Sequence, residues 1–183
     1  MSVMPTTSAL MTVEQFCALP DPKGGYYELQ HGVPVFTTFP KHRHSEAQRR
    51  LVKLLEAPAA GRGIVWPEFA FRPLPEHELW RADVAYVSQE RYDAIDLDDY
   101  FRGAPELVIE VLSPSNSATE VAEREAMCLE NSCLEFWVAD PRRKTVKVST
   151  PDRKSITYIE GETIPLKIPA PGELAVSVIF SNL

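Results

Sequence analysis

Leu107-Val108-Ile109-Glu110-Val111-Leu112 is the stretch on which the reading of this chain turns. Its apolar residues run almost without a break, the pattern of a strand covered on both faces rather than one lying half in water. Ser113-Pro114-Ser115 ends it. A strand of that kind belongs to a sheet packed between helices. Glu110 is the anomaly, because an ionised carboxylate in such surroundings is costly unless a cation or a pairing partner meets it.

The flanking sequence supplies the remaining layers. Upstream, Asp83 opens the apolar strand Val84-Ala85-Tyr86-Val87, and a proline-rich turn joins it to a strand over Ile64 to Phe71. From His44 the apolar positions Ala47, Leu51, Leu54 and Leu55 recur at helical spacing, and Pro58 and Gly61 close that helix. Tyr26 to Gln30 and Val33 to Thr38 flank His31-Gly32 as a hairpin. Thr12-Val13-Glu14-Gln15 has the spacing of a capping box and starts a short helix. Tyr92 to Gly103 is polar and acidic and reads as a surface loop with one helical turn. Downstream, a helix is predicted from about Thr119 to Asn131. Strands over Glu135 to Ala139 and Thr145 to Ser149 follow around the turn Asp140-Pro141, and Ser155 to Phe180 alternates as further strands. The order predicts an α/β (α+β) fold, a mixed sheet flanked by two main helices, in one domain over residues 1–183.

Composition narrows the class. Of 183 residues, 44% are hydrophobic and 25% charged, as in ordinary globular proteins. No apolar stretch approaches the roughly 20 residues that span a bilayer, and Met1 to Leu10 lacks the basic start and apolar core of a secretion signal. Cys17, Cys128 and Cys133 form no CxxC and no even framework, which excludes a zinc cage and fits a reducing cytosol, where they would serve as small buried hydrophobes. The net charge of −7 counts against indiscriminate nucleic-acid binding. Basic residues are nevertheless concentrated at Lys41, Arg43, Arg49, Arg50 and Lys53, and again at Arg142, Arg143 and Lys144. Each run is either a phosphate-binding patch or a solvated surface. Trp66, Trp137, Phe69 and Phe71 read as core rather than as a platform for bases.

Asp83 and Glu110 are the candidates for chemistry. Two carboxylates on neighbouring strands repel and raise one another's pKa. A divalent cation such as Mg²⁺ resolves the conflict, because it takes hard oxygen ligands and often uses one or two carboxylates with water and substrate phosphate. The competing explanation is an ion pair between Glu110 and an arginine such as Arg72 or Arg81.

In order along the chain stand Tyr27-Glu28-Leu29-x-x-Gly32, then His44, then Arg81-Ala82-Asp83-Val84. Gly103-x-Pro105-Glu106-Leu107-Val108-Ile109-Glu110-Val111-Leu112-Ser113-Pro114-Ser115 and Glu135-Phe136-Trp137-Val138-x-Asp140-Pro141 follow. This series resembles the Uma-two family, bacterial restriction-endonuclease relatives within the PD-(D/E)xK nuclease superfamily, over about residues 11–148. The resemblance implies a restriction-endonuclease-like fold and Mg²⁺- or Mn²⁺-dependent cleavage of DNA. It matches Asp83 and Glu110 to the two metal-binding acids and Glu28 to an acidic position that could add an oxygen ligand. It places His44 at the start of the basic helix, where it either faces the site or lies on the surface. Lys41, Arg43, His44 and Arg49 would then contact DNA, and a homodimer would serve the two strands of a duplex.

The departures bear on activity. The strand carries no lysine, and the helix position that the family gives to lysine falls on Arg124. Arginine keeps the charge and can bind phosphate bidentately, but it cannot act as a base. Arg124 could instead pair along the helix surface with Glu120. Ala82 stands where the family has proline, Asn131-Ser132-Cys133 replaces an Ala-Gly-Val turn and Cys128 replaces a tyrosine. Glu120, Glu123, Glu125 and Glu130 make the helix acidic. Two expectations follow: a metal-dependent DNA endonuclease with Asp83, Glu110, Arg124 and Glu28 at its centre, or an inactive descendant that binds nucleic acid or protein.

Overall fold

In the computed structural model, which describes residues 10–114 and 116–183, the elements follow one another as α1 (Val13–Cys17), β1 (Gly25–Gln30), β2 (Val33–Thr38), α2 (His42–Ala59), β3 (Gly63–Arg72), β4 (Trp80–Ser88), α3 (Gln89–Asp93), β5 (Phe101–Arg102), β6 (Leu107–Val111), α4 (Ala118–Glu130), β7 (Glu135–Asp140), β8 (Thr145–Ser149), β9 (Ser155–Ile159), β10 (Thr163–Leu166), β11 (Gly172–Ala175) and α5 (Val176–Phe180). Ser115, which closes the family-like motif, and the N-terminal stretch Met1 to Ala9 lie outside the described residues.

The stretch around Glu110 becomes β6, the middle of a seven-stranded mixed sheet ordered β5-β3-β4-β6-β7-β8-β9. β6 runs antiparallel to β4 and parallel to β7, with α4 as the crossover that a parallel pair requires. Alternation along β6 separates two cores. Leu107, Ile109 and Val111 pack with Ala47, Leu51, Leu55 and Ala59 of α2, while Val108 packs on the opposite face with Cys128 of α4 and Phe136 of β7. The helical spacing of the α2 residues therefore reports one buried stripe.

The capping box read at Thr12 forms, and a second one stands at the start of α4. The Thr12 hydroxyl accepts from the Gln15 N–H while the Gln15 side chain accepts from the Thr12 N–H. Ser117 and Glu120 do the same at the start of α4. At the first hairpin turn His31 and Gly32 have φ of 51° and 70°, and the β1–β2 ribbon is tied to the main sheet by a bridge between Leu29 and Leu79.

Four expectations need correction. Val176 to Phe180 is helical rather than a strand, because Val176, Ile179 and Phe180 bury themselves on the α2 core at helical spacing. The acidic loop holds a two-residue strand, β5, beside β3. Cys17 is exposed, whereas Cys128 and Cys133 are buried as expected. Trp66 is 45% exposed, while Trp137 and Phe71 are fully enclosed. Among the described residues no helix is long and apolar enough to cross a membrane.

Candidate active site

Register brings the acids together. Val84 pairs with Ile109 and Tyr86 with Leu107, so the next step of the same ladder sets Asp83 opposite Glu110. On the other side of β4, Pro67 pairs with Val84 and Phe69 with Ala82, which puts Glu68 opposite Asp83. Three carboxylates thus stand side by side across β3, β4 and β6. The strands are irregular there. Glu68 has a φ of +51°, a conformation that costs a non-glycine residue roughly 1–3 kcal/mol. The alternation of β4 also slips, since Trp80 and Ala82 share a core with Ala85 and Val87 while Val84 and Tyr86 face α2.

Asp83 is held from two sides. The Val111 N–H donates to its Oδ2 (2.7 Å), and His44 Nε2 lies 3.1 Å from the same oxygen. His44 therefore faces the site from the first turn of α2, with its Nδ1 buried and without a hydrogen-bond partner. Burial opposes a charge on His44, but Asp83 outweighs it and the imidazole pKa is raised. One turn further on, Gln48 Nε2 donates to Glu68 Oε1 and to the Asp83 carbonyl, both at 2.6 Å. Burial and the neighbouring Asp83 push the Glu68 pKa up, against the pull of Gln48, Arg81 and His44.

Arg124 points inward from α4, not along its surface, and Glu120 is occupied by the cap at Ser117. The guanidinium grips Glu28 with Nη1 at 2.6 Å and Nη2 at 3.2 Å, and Nη2 also donates to the Arg81 carbonyl (2.9 Å). It stacks 5.1 Å above the Trp80 ring, a cation–π contact. The same Nη2 lies 3.3 Å from Glu110 Oε1. The arginines expected to neutralise Glu110 are engaged elsewhere. Arg72 pairs with Asp99 at 3.0 Å, and Arg81 Nη1 lies 3.8 Å from Glu68.

Glu28 accepts, besides Arg124, the Arg81 N–H (2.8 Å) and Gln30 Nε2 (2.9 Å), so its carboxylate is saturated. Glu110 is not. Its Oε1 is buried with no hydrogen-bond partner, and burial pushes its pKa up to about 8 although Arg124 pulls it down. Among the described residues no three His, Cys, Asp or Glu side chains already converge as a metal cage. The Asp83–Glu110 pair nevertheless fits a divalent cation by its hard oxygen donors and by the Glu110 oxygen left without a hydrogen bond.

These groups line a cleft of about 560 Å³ whose rim includes Lys41, Arg43 and Arg142. Arg49 lies outside it, bound through Nε and Nη2 to Glu46 at 2.8 and 2.7 Å. On α4, Glu123 and Glu130 face solvent, Glu125 pairs with Lys147 at 2.7 Å, and Glu120 reaches the cleft. Sequence reasoning missed Glu68 and Gln48. Gln48 sits four residues after His44 on the buried side of α2, beside Ala47 and Leu51, and a polar residue on that stripe was the available signal.

A family profile described as "Putative restriction endonuclease", that of the Uma2 family, matches residues 13–178, and the chain belongs to that family. The crystal structure described as "a putative nuclease belonging to DUF820 from Anabaena variabilis" superposes with a TM-score of 0.80. The match covers 93% of this chain and 98% of that one at 21% identity, a level at which the likeness carries the fold. No curated protein matches the chain.

Proposed function

We propose that this protein is an endonuclease that hydrolyses phosphodiester bonds of DNA with Mg²⁺ or Mn²⁺ held by Asp83 and Glu110. The observation that carries the reading is the pairing of these two carboxylates on adjacent strands with one buried oxygen of Glu110 left without a hydrogen bond. Glu68, opposite Asp83, is the next carboxylate in the same row. When bound, the metal polarises the phosphoryl oxygen and lowers the pKa of a coordinated water.

The protein's own groups hold this arrangement in place. His44 and the Val111 N–H orient Asp83, and Gln48 fixes Glu68 against the β4 backbone. Glu28 acts as a positioning residue, clamping Arg124 so that its guanidinium stays beside Glu110. Lys41 and Arg43 supply cations at the rim for the phosphate backbone.

The test is nicking of supercoiled plasmid by purified protein with Mg²⁺ or Mn²⁺, alongside calorimetric titration of each metal. Wild type is expected to nick, and Asp83→Ala or Glu110→Ala to lose at least about 100-fold, the scale on which one electrostatic catalytic group counts. A protein that neither cuts DNA nor binds metal overturns the reading.

One observation favours the alternative of a non-catalytic binding module. Both terminal nitrogens of Arg124 are already engaged by Glu28 and the Arg81 carbonyl, and its Nε is buried, so little of the guanidinium is free for phosphate. Arg124→Lys separates the readings: an inert wild type that gains cleavage as Arg124→Lys places the deficit at this residue.

A further inference from the structure

The wall of the cleft opposite the acids is aromatic, and that wall indicates which form of nucleic acid enters. Resting on the nuclease reading, we propose that the cleft takes an unpaired, single-stranded segment, its bases stacked on the β1–β2 hairpin and its phosphates held by three free cations.

The hairpin presents Tyr26, Phe36 and Phe39 to the cleft. Phe36 is 46% and Phe39 64% exposed, although most aromatic rings of the chain are packed in the two cores. Phe36 packs edge-on against Tyr27, its cross-strand partner, at 5.8 Å, whereas Tyr26 and Phe39 form a pair of their own. The Phe39 ring lies 6.5 Å from Tyr26 at an interplanar angle of 47°, and the Arg81 guanidinium covers the other ring of the pair, 4.3 Å from the Tyr26 centroid. Tyr26 is thereby fixed from one side, which leaves Phe39 as the open face of the platform. Aromatic faces accept any base, because every base has a π-face.

Charge complements the platform. In a chain of net charge −7, Arg81 and Arg124 of the cleft lining face acids, and so do several cations outside it. Arg49 and Arg50 both bind Glu46, Arg124 binds Glu28, Arg143 lies near Asp140 and Lys144 binds Glu160. Among the described residues, Lys41, Arg43 and Arg142 have no ion-pair partner, and all three are exposed on the cleft's rim. Cations left unpaired beside exposed rings are the two components of a single-strand groove.

Size and depth exclude a duplex from the interior. A volume of about 560 Å³ suits a nucleotide or two, in the range of roughly 300–1,000 Å³ that encloses small organic ligands. The carboxylates line the same cleft, with Glu110 nearly buried, and an extended single strand can carry its phosphate to them without a paired strand alongside. A single strand brings its bases already unpaired.

Fluorescence anisotropy with a dye-labelled oligothymidine of about a dozen nucleotides, and with a duplex of equal length, tests the proposal in EDTA, where metal-dependent cleavage cannot proceed. The single strand is expected to bind at least about 10-fold more tightly than the duplex. Phe39→Ala, at an exposed position, should weaken single-strand binding about 5- to 100-fold and leave the duplex unchanged. Lys41→Ala and Arg43→Ala should weaken both and flatten the salt dependence. Equal or tighter binding of the duplex, or unchanged single-strand binding by both Phe39→Ala and Phe36→Ala, overturns the proposal. Cleavage of the two labelled oligonucleotides with Mn²⁺ distinguishes its failure from that of the nuclease reading. A wild type that cuts and prefers duplex keeps the nuclease and discards the single-strand groove. A wild type that binds single strands through Phe39 and cuts neither substrate does the reverse.

Discussion

Glu28, buried on the hairpin side of the cleft, and Glu110, nearly buried on the sheet side, both lie within reach of the single guanidinium of Arg124. Glu28 receives two hydrogen bonds from it, a third from the Arg81 N–H and a fourth from Gln30. Glu110 receives only its charge at 3.3 Å, and its nearest oxygen has no hydrogen-bond partner. The same arginine therefore completes one acid and leaves the other wanting. A saturated buried ion pair is a structural fixture, whereas an incompletely compensated carboxylate beside Asp83 keeps capacity for another cation.

The sharpest way to break this contrast is to remove the saturated partner. Glu28→Ala would leave the Arg124 guanidinium with only the Arg81 carbonyl and the Glu110 carboxylate 3.3 Å away. The expected loss is about 3–5 kcal/mol in chemical denaturation, with or without metal, because the buried guanidinium loses its bidentate partner. Retention of wild-type stability would show that Glu28 does not anchor the arginine.

Glu110→Gln should act in the opposite direction. The folded-state pKa of Glu110 is about 8, raised from 4.5. Below the unfolded value both states carry the proton and burial costs nothing. Between the two values the native state still holds a proton that the unfolded chain has released, so stability falls as pH rises. Above about pH 8 the loss is complete and constant. Metal-free wild type should thus lose stability between pH 5 and pH 8, by up to a few kcal/mol, and Glu110→Gln should flatten that slope while abolishing any cleavage. A slope equal in both proteins, by thermal melts across that range, would mean that Glu110 is compensated after all.

This contrast was half legible in the sequence. Glu110 could be seen as misplaced because its neighbours Ile109 and Val111 define a buried strand, and Asp83 because it opens another. Local pattern carries such information, and it also gave the α2 stripe and the capping box at Thr12. The division of labour at Arg124 could not be read that way. The bond to Glu28 spans 96 residues, and nothing in the spacing of α4 tells whether Arg124 faces Glu120 on its own helix or the hairpin across the cleft. Glu68 was hidden for a similar reason: its place opposite Asp83 depends on register, and its positive φ on a distortion that a Trp-Pro-Glu-Phe sequence does not announce.

The smallest expected effect comes from a third buried carboxylate at the far end of β7. Glu135 pairs in register with Leu107, at the end of β6 remote from Glu110, and accepts one hydrogen bond from the Trp137 indole N–H at 2.9 Å. Burial raises its pKa, and the Trp137 bond and Lys167 oppose the rise. The sign is that of Glu110, since the native state again retains a proton that the unfolded chain has released. Glu135→Gln keeps an oxygen to accept the indole N–H, so it should stabilise the protein by less than about 1 kcal/mol at pH 8 and by nothing at pH 4. Added Mg²⁺ should leave that difference unchanged, because this acid has no second carboxylate opposite it. If Glu135→Gln flattened the pH slope as much as Glu110→Gln, the deficit at Glu110 would be the ordinary cost of a carboxylate in this core. It is the combination of a steep slope at Glu110, a shallow one at Glu135 and a large loss at Glu28 that would tie the charge deficit to the strand pair β4–β6.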